Sequence, residues 1–261
     1  MPEIFLPVAL KAAKLSGEIL MRHYQSVLSI TEKTPGDIVT NADFESEKAI
    51  IGEIKRSFPD HNFLSEESGS ENRNSEYTWI IDPLDGTKNY ARGFPFFCVS
   101  IALAKGDEVI LGVVFAPFGK ELFTAEKGKG AFLNGKRISC SQTKTVHDSY
   151  VAYCDGNGME NRLFTLNLLN AFKRDAFEVR KFGSAALELC YQACGRIDGF
   201  IAVGAKAWDW SAGGLLIEEA GGKISDLQGK PWNIHSKNLI AGNKYIHAEL
   251  VKRLLEIQKQ K

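Results

Sequence analysis

The chain has 261 residues, 44% of them hydrophobic and 25% charged, and its 32 Lys and Arg residues balance its 32 Asp and Glu residues. This composition is that of an ordinary folded protein and excludes an intrinsically disordered chain. The lack of a basic excess disfavours a nucleic-acid binder, and the apolar runs fall short of the ~18 residues that cross a membrane. Because no basic and apolar leader opens the chain, we expect a cytoplasmic protein that contacts neither membrane nor nucleic acid.

Cysteine usage agrees with a reducing compartment. The cysteines are odd in number, are scattered along the chain and form no C-x-x-C pair. Such a set indicates neither a disulfide framework nor a zinc site, so we expect small buried side chains. The cysteines are Cys98, Cys140, Cys154, Cys190 and Cys194.

Two helices are predicted to open the chain and a β-rich segment to follow them. Apolar residues at helical spacing predict helices over residues 6–24 and 42–58, the second ended by Pro59. The strands that follow are expected to pair antiparallel, and Pro83 is expected to end the first of them because it has no N–H to donate. The predicted strands are 77–81, 97–104, 109–115, 131–133 and 136–139.

After about residue 145 strands and helices alternate, a pattern typical of α/β layering. The predicted strands are 149–154, 177–180, 198–203, 223–226 and 238–241, and the predicted helices are 161–172, 185–195, 211–220 and 244–258. No linker separates independent units. We therefore expect one layered domain over residues 1–261, with an α+β half (1–145) that holds an antiparallel sheet and an α/β half (146–261).

One acidic segment, Asp82-Pro83-Leu84-Asp85-Gly86-Thr87, follows the first of these strands. Asp82 is expected to project from the carboxyl end of the strand, where layered α/β proteins place their ligands. Gly86 permits a tight turn, and a helix that opens there presents free N–H groups to an anion. The segment thus offers two carboxylates for a cation beside a cradle for phosphate; two ordinary Asp turns are the plainer alternative.

Three further segments carry carboxylates. Glu66 and Glu67 follow an apolar strand end, and because successive strand side chains alternate, we expect these two to point apart. Asp209, between two tryptophans, is expected at the N-cap or in the first turn of a helix, as a cap or as a metal ligand. Asp43 also stands at a helix start, where capping is again the alternative.

Convergence of Glu66, Asp82, Asp85 and Asp209 has a calculable cost. Each like-charge pair at ~4 Å costs about 4 kcal/mol at an effective dielectric near 20. Such a cluster either takes up protons or binds cations. Oxygen ligands without His or thiolate favour Mg²⁺ or Mn²⁺, and a phosphate cradle beside hard metals indicates phosphoryl chemistry.

Taken together, these motifs resemble the inositol monophosphatase family, and the resemblance spans nearly the whole chain. The matching segments are Glu66-Glu67-Ser68, Trp79-Ile80-Ile81-Asp82-Pro83-Leu84-Asp85-Gly86-Thr87, Trp208-Asp209 with Ala212-Gly213, Glu219-Ala220-Gly221-Gly222, Asp37-Ile38-Val39-Thr40-Asn41-Ala42-Asp43 and Gly93-Phe94-Pro95. The resemblance implies an α-β-α-β-α sandwich of the sugar-phosphatase type. It also implies Mg²⁺-dependent hydrolysis of phosphomonoesters, sensitivity to lithium and commonly a homodimer.

The resemblance further implies a metal set. Glu66, Asp82 and the Leu84 carbonyl would hold a first Mg²⁺, and Asp82, Asp85 and Asp209 would hold a second, with Asp82 bridging the two. A third and weaker ion would lie near Glu66, and Mn²⁺ is an alternative to Mg²⁺.

Catalytic and substrate contacts follow from the same resemblance. Glu66, Thr87 and Asp43 would be catalytic, with Thr87 and Asp43 orienting the water that attacks phosphorus in line. The substrate contacts implied are Leu84, Gly86, Thr87, Arg180, Ser184, Ala185 and Asp209.

One departure from the family pattern affects the substrate. Inositol-specific members usually carry a Glu seven residues before the Trp-Asp aspartate, and this chain has Ala202 there. The expected substrate is a small polyol or sugar phosphate, with inositol 1-phosphate first. Fructose 1,6-bisphosphate, histidinol phosphate and a 3′-phosphoadenosine nucleotide are the alternatives. The alternative to an enzyme is a non-catalytic binding or regulatory protein.

Overall fold

A computed structural model describes residues 4–26 and 28–259 of the chain. Its helices are α1 (Phe5–His23), α2 (Asn41–Ser57), α3 (Thr87–Ala91), α4 (Met159–Phe172), α5 (Ala185–Ala193), α6 (Ala207–Glu219) and α7 (Lys244–Lys259). Its strands are β1 (Ile30–Thr34), β2 (Asp37–Thr40), β3 (Asn62–Ser65), β4 (Gly69–Glu71), β5 (Tyr77–Asp85), β6 (Cys98–Lys105), β7 (Glu108–Ala116), β8 (Glu121–Glu126), β9 (Gly130–Leu133), β10 (Lys136–Arg137), β11 (Tyr150–Asp155), β12 (Glu178–Arg180), β13 (Gly199–Val203), β14 (Lys223–Ser225) and β15 (Asn238–Gly242).

The elements stack in five layers, α-β-α-β-α. One sheet has the strand order β10-β9-β8-β7-β6-β5-β3-β4 and the other the order β12-β11-β13-β15-β14, while β1 and β2 form a separate hairpin. Helices α1 and α2 pack on the first sheet, α5 and α6 contact both sheets, and α4 and α7 pack on the second. The predicted layered fold is confirmed, and the antiparallel pairing of the first sheet holds except between β3 and β5.

Alternation along each strand explains why the sheets are covered on both faces. On β5, Trp79 and Ile81 join the core beneath α1 and α2. Ile80, between them, joins the central core around α5 and α6. On β13, Phe200 faces that central core and Ile201 the outer core beneath α4 and α7. Each sheet is therefore apolar on both sides and can be buried only in a layered fold.

The prediction that Pro83 ends its strand is wrong. Strand β5 continues to Asp85, and its pairing with β6 shifts in register between Asp82 and Asp85. This bulge carries the strand past a proline that cannot donate to the ladder. As a result, both aspartates belong to one strand and lie on either side of the irregularity.

Other boundaries differ for local reasons. Helix α6 begins at Ala207, ahead of the predicted residue 211. The Asp209 carboxylate lies in the first turn and caps the helix by accepting a hydrogen bond from the Lys206 N–H (2.6 Å). Strands β1, β2, β4 and β8 were not predicted. Strand β1 is exposed at every position, so it lacks the hydrophobic alternation that marks a strand.

The cysteines are unpaired and three of the five are buried, as the sequence predicted. All five cysteines are free; Cys98, Cys140 and Cys190 are buried, and Cys154 and Cys194 are half-buried. Among the described helices, none combines the length and the apolar character that a membrane crossing requires.

Candidate active site

Three carboxylates converge where the first sheet meets α6. Oxygen atoms of Asp82, Asp85 and Asp209 all lie within 4.8 Å of one another. The bulge in β5 supplies the first two, and the first turn of α6 supplies the third. Of the four carboxylates whose convergence the sequence analysis considered, these three are therefore brought together by two segments of the chain.

Hydrogen bonds hold each carboxylate in place. Asp82 accepts from the Leu84 N–H at 2.9 Å, a bond across the proline bulge. Asp85 accepts from the Ser184 hydroxyl at 2.6 Å and from the Ala186 N–H at 2.7 Å, both at the start of α5. The site is thus fixed by backbone and buried donors, which do not neutralise the negative charges.

The cluster resists ionisation. Burial, followed by the charges of Glu66, Asp85 and Asp209, raises the pKa of Asp82 well above its ordinary value. Burial, followed by the charge of Asp85, does the same to the pKa of Asp209. Burial raises the pKa of Asp85 to about 6, although its hydrogen bonds to Ser184 and Ala186 oppose the shift. A divalent cation would remove the repulsion, and an all-oxygen donor set suits a hard one.

A small recess adjoins the carboxylates. Gly86 lies between β5 and α3 with φ +95°, and a Cβ there would come within 2.9 Å of the Phe96 carbonyl oxygen, so the position requires glycine. Gly86, Thr87 and Lys88 line the recess together with Asp85 and Asp209. The turn that the sequence predicted at Gly86, and the helix after it, are both confirmed.

Thr87 connects the recess to a second helix. Its hydroxyl oxygen lies 3.2 Å from a carboxylate oxygen of Asp43 and 3.0 Å from the Leu84 carbonyl oxygen. The other oxygen of Asp43 accepts from the N–H and the hydroxyl of Thr40, in the capping box of α2. Burial raises the pKa of Asp43 to about 6, with the Thr40 hydrogen bonds opposing the shift. Capping and a site contact are therefore combined in one carboxylate.

Glu66 lines the same recess but, among the described residues, is not part of the cluster of three aspartates. The Lys33 ammonium lies 2.8 Å from Glu66 and 2.9 Å from Glu67. The expectation that these carboxylates point apart is wrong, because β3 ends at Ser65 and strand alternation no longer governs the turn after it. Lys33 comes from the exposed hairpin β1–β2 and had no signal in the sequence.

A larger cavity of about 760 Å³ opens beside the recess, over the carboxyl end of β11. Ala185 lines it, and the Ser184 hydroxyl lies behind it, bound to Asp85. Arg180 is not among its lining residues and pairs with Glu178 at 3.5 Å, whereas the next residue, Lys181, does line it. Arg180, which the family resemblance implied as a substrate contact, therefore lies outside the lining of this cavity.

Ala202 lies on β13, opposite Cys154 of β11 in the sheet register. It is buried and faces the central core, whereas Cys154 lines the cavity. Ala202 therefore lies behind the lining of the cavity, beside a residue that belongs to it.

Comparison with known proteins identifies the family and the fold. The model of the inositol monophosphatase family matches residues 1–260. The chain belongs to the inositol monophosphatase family. Members of this phosphatase family are metal-dependent, which agrees with the cluster of three aspartates.

Relatives of this inositol monophosphatase family member carry several names. The Nus factor SuhB of Pasteurella multocida is 39% identical over 95% of each chain. A protein of Aquifex aeolicus named fructose-1,6-bisphosphatase/inositol-1-monophosphatase is 40% identical over 97% of each chain. The inositol-1-monophosphatase of Mesorhizobium japonicum is 40% identical over 95% of this chain and 94% of its own.

Solved structures of the family superpose closely on the fold. The extragenic suppressor protein suhB of Bartonella henselae gives a TM-score of 0.91 with 38% identity, over 95% of this chain and 97% of its own. The IMPase of Thermotoga maritima gives a TM-score of 0.89 with 36% identity, over 100% of this chain and 99% of its own.

Proposed function

We propose that the chain is a Mg²⁺-dependent phosphomonoester hydrolase that acts on a small polyol or sugar phosphate, most of all inositol 1-phosphate. The observation that carries this proposal is the convergence of Asp82, Asp85 and Asp209 beside the glycine recess at Gly86. Glu66, Asp82 and the Leu84 carbonyl would hold one ion; Asp82, Asp85 and Asp209 would hold another. Mn²⁺ would serve in place of Mg²⁺, and a third ion would bind near Glu66.

The chain's own groups position the reactants. The backbone of Gly86 and Thr87 would donate to the phosphate in the recess, and Asp209 would contact the ester beside the scissile bond. The Thr87 hydroxyl, held by Asp43, would orient the attacking water for in-line displacement without a covalent intermediate. When bound, the metal ions lower the pKa of that water and stabilise the departing alkoxide.

Fructose 1,6-bisphosphate or another bisphosphate is the second candidate substrate, because the cavity beside the recess carries unpaired lysines. Lys88 and Lys206 line it, and neither forms an ion pair with any described residue; Lys88 contacts Asn157 at 3.2 Å. A second anionic group on the leaving alcohol would be attracted to these ammonium groups. Ala202 leaves the polyol hydroxyls without the Glu that inositol-specific members use. Histidinol phosphate and 3′-phosphoadenosine nucleotides remain further alternatives.

The experiment that tests the function is phosphate release from purified protein. Inositol 1-phosphate, fructose 1,6-bisphosphate and glycerol 2-phosphate would be compared with Mg²⁺, with Mn²⁺ and with excess chelator. We expect metal-dependent turnover of inositol 1-phosphate. No release from any phosphomonoester would favour a non-catalytic binding or regulatory protein, and several relatives bear the name of a Nus factor.

We further propose a homodimer and a single domain. Met159, Leu163 and Leu166 follow one face of α4 and are each more than half exposed, and Phe177 is 66% exposed beside the edge strand β12. An apolar surface of this kind marks an interface. Sedimentation analysis should give twice the mass of one chain, and Leu166→Glu should reduce the measured mass to that of one chain.

Contacts of α5 and α6 with both sheets support one domain over residues 1–261.

The remaining proposals concern location and partners. Five free cysteines support a reducing, cytoplasmic compartment, and a net charge of zero supports the absence of a nucleic-acid partner. Fractionation of cells and a gel-shift assay with RNA would test these two points.

A further inference from the structure

Helix α2 presents three polar side chains to the active site from one buried face. Asp43 contacts the Thr87 hydroxyl at 3.2 Å, and the Ser46 hydroxyl donates to the Pro83 carbonyl at 2.9 Å. Glu47, four residues after Asp43, reaches the turn after β3. Each bond therefore joins the helix to a different part of the chain that forms the site. The spacing of three and four residues places all three on one side of the helix.

Glu47 holds the two residues that flank Glu66. One of its carboxylate oxygens accepts both the Ser65 hydroxyl and the Glu67 N–H, the latter at 3.0 Å. The N–H of Glu66 itself donates to the Ile81 carbonyl at 3.2 Å. The backbone around Glu66 is thereby fixed on both sides.

Glu47 is buried without a cation. The residue is 6% exposed, and its carboxylate forms hydrogen bonds but no ion pair with the described part of the chain. Glu53, on the same helix and 5% exposed, differs because Lys11 and Arg56 each lie 2.7 Å from it. A buried carboxylate is unfavourable unless donors compensate it, and those of Glu47 come from the turn that carries Glu66. Glu53 is therefore a matched residue in type, helix and burial.

We infer that Glu47 is a positioning residue for Glu66, which it aims at the cation that the site takes up. The inference rests on the proposed function, since it is the proposed function that gives Glu66 a metal. Groups that hold metal ligands in place typically change metal affinity or activity by about 10–100-fold when they are removed. Glu47 lines neither the recess nor the cavity, so its effect should appear through Glu66 alone.

The first test measures metal binding directly. Mn²⁺ would be titrated into the full-length protein and the free ion followed by electron paramagnetic resonance. We expect Glu47→Leu to weaken the binding of one Mn²⁺ by about 10–100-fold. Glu47→Gln retains an acceptor oxygen and should bind nearly as wild type. Glu53→Leu should bind as wild type, because its partners lie away from the site. Equal losses in Glu47→Leu and Glu47→Gln, or a loss in Glu53→Leu as large, would overturn the inference.

A double-mutant cycle shows whether Glu47 acts through Glu66. In the Glu66→Gln background, Glu47→Leu should cause little further loss of Mn²⁺ affinity. Full additivity of the two losses would overturn the inference. If Glu47→Leu does not fold, Ser65→Ala removes one of the two bonds and should show a smaller loss of the same kind; unchanged binding there would count against it. Wild-type protein that binds no Mn²⁺ would instead refute the proposed function itself.

Discussion

The Thr87 hydroxyl oxygen lies 3.2 Å from the Asp43 carboxylate, although the two residues are 44 positions apart. Asp43 is held there by the capping box of α2, and Thr87 by the first turn of α3. The contact therefore depends on the packing of α2 against the end of β5. It joins the recess at Gly86 to a buried carboxyl group.

Thr87→Ala should lower kcat more than it raises KM. An interaction made mainly in the transition state appears in kcat, and loss of a preorganised donor of this kind costs about 2–4 kcal/mol. Steady-state kinetics with inositol 1-phosphate would measure it, with Thr87→Ser as the control that keeps the hydroxyl. A raised KM with normal kcat would show that Thr87 only binds phosphate.

Asp82→Asn or Asp209→Asn should remove most activity yet stabilise the metal-free protein. The raised pKa of each group means that the folded state disfavours its ionised form. Each group therefore lowers the free energy of unfolding increasingly as the pH rises above the ordinary carboxyl pKa. Thermal unfolding in chelator should show a higher Tm than wild type at pH 8 and a smaller gain at pH 4. Undiminished activity of either variant would contradict the assignment.

Acid should destabilise the protein partly through His247. Burial and the nearby charge of Lys223 lower its pKa from 6.5 to about 4, and its ring lies 2.8 Å from the Ser225 hydroxyl. The unfolded chain therefore binds more protons than the fold between these values, and stability falls as pH drops from about 6.5 to about 4. His247→Gln should show a shallower fall of Tm across that window. Parallel profiles for variant and wild type would exclude this role.

Ala202→Glu should shift selectivity toward inositol 1-phosphate. Ala202 is buried beside Cys154, which lines the cavity, and the family pattern is what assigns a carboxylate at this position to the polyol hydroxyls. Each hydrogen bond of that kind is worth ~1.5–3 kcal/mol, or about one to two orders of magnitude in kcat/KM. Comparison of inositol 1-phosphate with glycerol 2-phosphate and fructose 1,6-bisphosphate in both proteins checks this. A wild-type protein that already prefers inositol 1-phosphate by more than about a thousandfold in kcat/KM, some 4 kcal/mol, would contradict the expectation that it discriminates weakly among these substrates. Unchanged ratios in the variant would exclude Ala202 as its cause.

Lithium at millimolar concentration should inhibit the enzyme. The expectation comes from the family, with Asp82, Asp85 and Asp209 as the position where Li⁺ replaces the second metal. Inhibition should be uncompetitive or noncompetitive with substrate, because the ion would trap the product-bound state. Initial rates at several concentrations of substrate and Li⁺ would decide, and purely substrate-competitive inhibition would contradict the position.

The first two helices and the residue types of the candidate site could be predicted from local sequence. The amphipathic spacing over 6–24 and 42–58 gave helices within one residue of α1 and α2, because each buries one stripe of side chains. The aspartates of the 82–87 segment, the glycine that its turn requires and Asp209 at a helix start were all visible as motifs. Their chemistry follows from residue type, since carboxylates and free N–H groups bind cations and phosphate in any fold.

Tertiary structure alone decided which of these groups meet. The sequence determined that Asp82, Asp85 and Asp209 are suited to a cation, but only the packing of α6 against β5 brings their oxygens within 4.8 Å. Likewise, nothing local predicted that Lys33 would join Glu66 or that Glu47 would hold the turn around it. These contacts cross 18 to 33 positions of the chain, and a long-range approach is set by how layers pack, which short-range periodicity does not encode.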